Sequence, residues 1–403
     1  MKKLIVLLVL SVFSWSFAQD SNAEAPKVEA PPKPAAKPFA PTIKVGVQVF
    51  GDLYIVASAA TNLSGTNTRA KTSEFNALTS GVSDPLTTQP RYGFQLRRAL
   101  VSVDGSLSDA VRGRISVIGA TGFYGASATT ETDPITVFEA YGMWDYLKFK
   151  DFGDESVVIG VQNTSTFKLQ ERIWANRALE KAAGDIYLIR RTKDLGLALK
   201  GSFFGGVLSY DFMLGNGNFV AGSAIVSNDL APKVAYGNIG LAIPVGKDVN
   251  AAGVTNKMEI LAEAYGDASI VTSTNQKWTV QGGAGFSSKF LRAGGFFTLQ
   301  QSQQALGTLN TTVLSFPVWF SISELAGWKK FGLVVTGRLD LRSQDLYGIN
   351  DRFIVAGIEV SPVKGFSLIP NIEIATYDVP ALSAAGITPN ADIVPRLTFK
   401  LIL

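Results

Sequence analysis

Residues 42–56 read TIKVGVQVFGDLYIV and residues 330–342 read KFGLVVTGRLDLR, and in both the apolar residues recur at every second position. Ile43, Val45, Val47, Val49, Leu53 and Ile55 fall on one side of an extended chain, opposite Lys44, Gln48, Asp52 and Tyr54. In the second stretch Phe331, Leu333, Val335, Leu339 and Leu341 oppose Lys330, Thr336, Arg338, Asp340 and Arg342. A period of two belongs to a strand with one apolar and one polar face.

The same alternation elsewhere predicts sixteen strands, over 42–56, 91–107, 111–124, 135–150, 156–166, 195–204, 206–215, 232–244, 256–267, 277–287, 290–301, 311–323, 330–342, 351–361, 365–377 and 392–403. Connections after odd-numbered strands are mostly long, among them 57–90, 167–194, 216–231 and 378–391; those after even-numbered strands are mostly short, among them 108–110, 151–155, 288–289 and 362–364. Only 245–255 and 343–350 depart from this sorting. A soluble sandwich has no reason to sort its loops so, whereas an outer-membrane barrel carries long loops outside and tight turns in the periplasm. The expected fold is therefore all-β, a transmembrane antiparallel β-barrel of about sixteen strands, wide enough for an aqueous lumen. Closure leaves no unpaired edge, and an apolar exterior needs no covering helix.

The N-terminus agrees. Lys2 and Lys3 precede an apolar run from Leu4 to Phe13, with Ser16 and Ala18 placed before a cut at Gln19, so residues 1–18 read as a secretory signal peptide. Residues 19–41 are rich in Pro, Ala, Lys and Glu and read as an extended periplasmic arm, a spacer or a cell-wall contact through 20–41. The barrel occupies 42–403, placing the protein in the outer membrane of a Gram-negative envelope, among lipid and lipopolysaccharide.

Composition narrows the chemistry. The 403 residues include no histidine and no cysteine, which removes imidazole bases, Ser-His-Asp triads, zinc-thiolate sites and disulfides. Glu259 and Glu263 share a strand face, but four residues of strand separate them by about 13 Å, too far for a glycosidase pair. The glycine runs Gly282–Gly285 and Gly294–Gly295 lack a phosphate-cradling lysine and read as close packing or barrel curvature. No catalytic residue, cofactor or metal is expected, and the chain does not read as an enzyme. Cleavage at residue 18 lowers the formal charge from +4 to +2 by removing Lys2 and Lys3, which argues against nucleic acid as a partner. Trp144, Tyr146, Trp278, Trp319 and Trp328 suit interfacial girdles; only Tyr54, Tyr141 and Tyr265 are placed for a sugar track.

The predicted lumenal face carries thirteen bases, Arg97, Arg112, Arg114, Arg338 and Arg342 among them, against eight acids, a surplus of +5. Arg98 falls on the lipid side of this register. The connection 167–194 is the third external one and holds Lys168, Arg172, Arg177, Lys181, Arg190, Arg191 and Lys193 against four acids. Residues 168–183 could form a helix with Lys168 and Arg172 one turn apart. Folded inward between strands 5 and 6, this segment would make a basic constriction that favours anions.

Several stretches resemble the phosphate-selective porin O/P family: Gly93–Leu107 (GFQLRRALVSVDGSL), Phe138–Gly160, Glu171–Arg172 with Arg191 and Gly196, and Gly215–Gly217. The resemblance covers roughly residues 42–220. It implies a sixteen-stranded barrel, usually a homotrimer, that conducts small anions past a basic constriction. Two features depart from the family: the chain ends at Leu403 rather than on an aromatic, and its net charge is small for a phosphate collector. The expected function is passive diffusion of small hydrophilic solutes with an anion preference. The alternative is a structural or adhesive barrel closed by its loops.

Overall fold

The computed structural model describes residues 40–58, 91–119, 136–149, 153–187, 189, 192–217, 233–249, 255–269, 276–304, 307–328, 330–384 and 391–403. The segments read as signal peptide and arm, up to residue 39, lie outside them, as do Arg190 and Arg191.

Sixteen strands follow one another: β1 (Thr42–Val56), β2 (Arg91–Ser106), β3 (Val111–Gly119), β4 (Thr136–Phe149), β5 (Gly153–Asn163), β6 (Lys193–Phe203), β7 (Leu208–Gly215), β8 (Val234–Val249), β9 (Thr255–Ser269), β10 (Lys277–Ser287), β11 (Leu291–Gln304), β12 (Gly307–Ser321), β13 (Gly332–Gln344), β14 (Ile349–Val363), β15 (Phe366–Asp378) and β16 (Asp392–Ile402). Each pairs antiparallel with its sequence neighbours, and β16 returns to β1 from Gln48↔Ile402 to Tyr54↔Arg396, closing the barrel. Leu403 completes the seam through mutual backbone hydrogen bonds with Val47. Helices α1 (Lys168–Trp174) and α2 (Ala183–Ile186) lie between β5 and β6, α3 (Ile322–Ala326) follows β12, and α4 (Pro380–Ala384) follows β15. No described helix is long and apolar enough to cross a membrane.

The period of two sorts side chains as expected. On β13, Thr336, Arg338, Asp340, Arg342 and Gln344 are buried inside while Val335 is exposed outside. All sixteen strands present exposed large apolar side chains outward, from Ile43 and Val45 on β1 to Leu397 on β16. This is a surface suited to hydrocarbon rather than water.

Where the structure departs from strict alternation, a bulge is the cause. On β2, Phe50 pairs with Arg98 but Gly51 pairs with Leu96, leaving Arg97 as the extra residue. An extra residue resets the pleat, so Arg97 and Arg98 both face inward: Arg97 bonds Asp52, and Arg98 lies over the rings of Phe50 and Phe138. This corrects the lipid-side placement of Arg98. A second bulge on β4 at Phe138 turns that ring and Glu139 to the same side. A third, on β8 at Val245, carries the strand past Pro244 to Val249, so the expected long connection at 245–255 shrinks to 250–254 and the sorting of loops improves. The sorting fails elsewhere, because β11–β12 and β13–β14 are joined by only 305–306 and 345–348.

Candidate functional site

The segment between β5 and β6 contacts inward side chains almost all the way round the ring. Arg97 of β2 donates to the carbonyls of Ala178 and Leu179, Asn238 of β8 to Ser165 O at 3.0 Å, and Arg338 of β13 to Lys181 O at 2.6 Å. Leu169 N donates to Glu263 of β9 at 2.9 Å, and Asn176 to Glu359 of β14 at 3.1 Å. Contacts on so many strands of one closed ring place the segment within it.

The expected helix over 168–183 is broken in two. α1 ends where Ala175 adopts a left-handed backbone with φ 38°, and the chain turns through 176–182 before α2. The break leaves the carbonyls of residues 178–181 without helical partners. Arg97, the Trp174 indole and Arg338 supply the missing donors.

The two sides of the segment differ. Phe167, Trp174, Leu179, Ala183, Tyr187 and Ile189 pack against Phe50 on β1, Val313 on β12, Phe353 and Val355 on β14, Ile369 on β15 and Val394 on β16. Ile173 and Leu169 pack with Leu261 and Phe296. Ile173 rests where β10 and β11 carry Gly285 and Gly294; a Cβ on Gly285 would lie 2.2 Å from its Cδ1. Gly285 and Gly294 are footprints for the helix, a contact the sequence reading of these runs as close packing or barrel curvature did not specify.

On the β12–β1 side the inward charges are sealed. Asp52, Glu373 and Arg396 are fully buried, and Arg396 bonds Glu373 at 2.7 Å. Arg338 and Arg342 pair with Asp340 and Asp351, their side chains only 1% and 5% exposed. Arg338 also lies against the rings of Trp174 and Phe353. Three of the expected lumenal cations, Arg97, Arg338 and Arg342, are thus held under the segment, away from open water.

On the other side, from β3 to β9, buried carboxylates each hold two cations. Lys168 and Lys200 share Asp211, at 2.5 and 3.5 Å; Arg172 and Lys257 share Glu259; Arg112 and Lys148 share Asp145; Arg114 and Lys193 share Glu139. The acids lie against the wall and most of the cations reach into water. Side-chain exposure is 45% for Lys168 against 0% for Asp211, 45% for Arg172 against 11% for Glu259, and 55% for Arg112 against 4% for Asp145. Arg177 on the segment has the reverse arrangement, one cation between two acids, Glu171 and Asp185. Sequence reasoning named Lys168, Arg172, Arg177, Arg112 and Arg114 but did not see the shared-acid arrangement, or Lys148 as a participant. It also left Asp104, Asp194, Asp267, Asp351, Glu359 and Asp392 off the inward face, so the expected surplus of +5 shrinks.

A closed sixteen-strand antiparallel barrel with an apolar outside, a charged inside and a segment folded within it is the architecture of a porin. Solved porin structures share the barrel fold. An anion-selective porin from Comamonas acidovorans superposes with a TM-score of 0.54 at 10% identity, covering 90% of this chain and 100% of that one. The outer membrane channel DcaP of Acinetobacter baumannii gives 0.53 at 12% identity over 90% and 97%. Salmonella typhi OmpF in complex with daunomycin gives 0.56 at 11% over 90% and 97%. No protein-family model matches the chain, and no curated protein matches it in sequence.

Proposed function

We propose that this chain is an outer-membrane porin, a non-enzymatic channel for passive diffusion of small hydrophilic solutes with a preference for anions. The observation that carries the reading is the radial sorting within the shared-acid groups. A solute on the β3–β9 side meets ammonium and guanidinium groups first, and the neutralising carboxylates lie behind them. The groups on Asp211, Glu259 and Asp145 each keep a charge of +1, while Arg114 is also met by Asp104, and in a narrow aqueous path such charges attract anions and repel cations. In this reading Lys168, Arg172 and Arg177 on the segment face Arg112 and Arg114 across the constriction, while Arg97, Arg338 and Arg342 hold the segment in place. The resemblance to phosphate-selective porins and the likeness in fold to the anion-selective porin of Comamonas acidovorans support the same direction. Phosphate as a particular solute, the homotrimer, the surrounding lipopolysaccharide, the leader at 1–18 and the cell-wall contact through 20–41 belong to this reading too.

The rival, a structural barrel, draws on one specific observation: the segment seals the whole β12–β1 side of the lumen. A planar bilayer separates the two. The porin reading expects ohmic steps and, across a tenfold KCl gradient, a zero-current potential of the sign set by chloride, below the limit of about 59 mV for one charge. Absence of steps establishes the structural barrel, and a potential of the sign set by K⁺ removes the anion preference.

A further inference from the structure

We infer that Lys193 and Asn163 are a self-modification site, where the chain joins the two side chains in an intramolecular isopeptide bond with Glu139 as the proton carrier. Asn163 is the last residue of β5 and Lys193 the first of β6, and they stand directly opposite each other. Residues 164–192, which carry the inward segment, begin and end at this pair. Lys193 Nζ touches both Asn163 Oδ1 and Glu139 Oε1. Amine, amide and carboxylate are the three groups that such a bond requires, and one atom brings them together.

The surroundings hold these groups in position. Lys193 is 8% exposed and Glu139 5%, and the Phe138 ring lies 4.4 Å from Nζ, so water has little access to the amine. Arg114 Nε at 2.8 Å and Ser116 Oγ at 3.2 Å occupy Oε2 of Glu139, which leaves Oε1 to the lysine. The amide carbon of Asn163 is one C=O bond, about 1.2 Å, beyond the oxygen that Nζ touches, within the range from which a bound nucleophile attacks. Rotation of the amide about its soft χ2 torsion turns its face to Nζ. In the step, Glu139 takes a proton from the ammonium and Nζ adds to Cγ of Asn163. As the Cγ–Nδ2 bond breaks, the amide nitrogen carries away that proton and a second one from Nζ, and leaves as ammonium. Glu139 returns to its carboxylate and keeps Arg114, while Lys193 becomes a neutral secondary amide. The bond fixes both roots of the segment to each other.

The experiment weighs the full-length protein, folded in membranes and then denatured, by mass spectrometry against the mass its sequence dictates. The parent should be lighter by one ammonia, whereas Lys193→Arg, Asn163→Ala and Glu139→Gln should each have their full sequence mass. Digestion of the parent should yield a branched peptide joining Lys193 to Asn163, and a single cut within 164–192 should leave the two fragments joined in denaturant. Heat-dependent mobility on gels shows for each variant that the barrel has closed, so a missing bond is not read from an unfolded chain. A parent of full sequence mass in a closed barrel overturns the site. So does a loss of ammonia that persists in Lys193→Arg, which assigns it to a cyclised asparagine such as Asn216 before Gly217. A complete bond in Glu139→Gln overturns the part given to Glu139. Conductance plays no part in the readout, so a chain that does not conduct still tests the bond.

Discussion

The sharpest consequence of the shared-acid groups is that neutralising Lys168 and Arg172 should collapse the anion preference without opening or closing the pore. In the double variant Lys168→Gln/Arg172→Gln, Asp211 keeps Lys200 and Glu259 keeps Lys257, so no carboxylate loses its last partner and each group falls from +1 to neutral. A unit charge about 5 Å from a permeating ion contributes roughly 0.8 kcal/mol in water, and a screening length of ~10 Å at 0.1 M salt lowers this to about 0.5 kcal/mol. An anion loses that attraction and a cation loses an equal repulsion. The anion-to-cation permeability ratio should therefore fall roughly fivefold per removed cation. In 1 M salt the screening length is ~3 Å and the change per removed cation should drop below about twofold, a dependence that a steric effect would not show. Glu171→Gln removes an acid that is itself 45% exposed and should move the ratio the other way. Zero-current potentials in graded KCl at the two salt levels make the measurement. An unchanged ratio in a double variant that still conducts would refute the reasoning, and so would a shift of equal size at both ionic strengths.

The sealed side of the lumen should answer to stability and not to selectivity. Arg338→Met leaves Asp340 buried without its partner and should cost about 3–5 kcal/mol in urea unfolding from lipid vesicles; adding Asp340→Leu should restore much of the loss, and neither variant should move the zero-current potential. Leu179→Ala empties a fully buried position between the segment and the wall and should cost about 2–5 kcal/mol by the same assay, with noisier single-channel current as the segment loosens. Gly285→Ala puts a methyl group into the seat of Ile173 and should cost about 1–3 kcal/mol, whereas Gly282→Ala, which meets nothing within 4 Å, should cost far less.

Strands were legible because each carries its own record: alternation is local, and the hydrocarbon outside enforces it along every strand. Bulges hid the rest of the register. One extra residue at Arg97 turns the following side chain to the opposite face, and the sequence GFQLRRAL is equally good as an unbroken alternation with Arg98 outward. The inward acids were missed for a related reason. Asp351 and Glu359 sit on β14 in a stretch, NDRFIVAGIEV, where both faces are largely apolar and the pattern alone does not choose. The break in the helix was illegible from local propensity, since Ala175 and Arg177–Ala183 are good helix formers. What overrides propensity is the wall, through carbonyls taken by Arg97 and Arg338 from strands 82 and 157 residues away.

That override also explains how a nearly neutral chain can present a cationic path. Residues 167–189 carry an apolar set that includes Phe167, Ile173, Trp174, Leu179, Tyr187 and Ile189, and four cations, Lys168, Arg172, Arg177 and Lys181. Docking Phe167, Trp174, Leu179, Tyr187 and Ile189 on β12–β1 buries wall arginines that would otherwise line the lumen and aims Lys168 and Arg172 at the opposite wall. There Asp211 and Glu259 hold them by the head and remain behind them. Reversing the charge of either acid would not simply add to the cationic surface, because the acid is what orients it. Asp211→Lys should therefore lower the anion preference even though it raises the net charge by two, with Lys168 and Lys200 repelled from the wall they now grip. A higher preference in that variant, read from the zero-current potential of a channel that still conducts, would show that total charge rather than its placement sets selectivity.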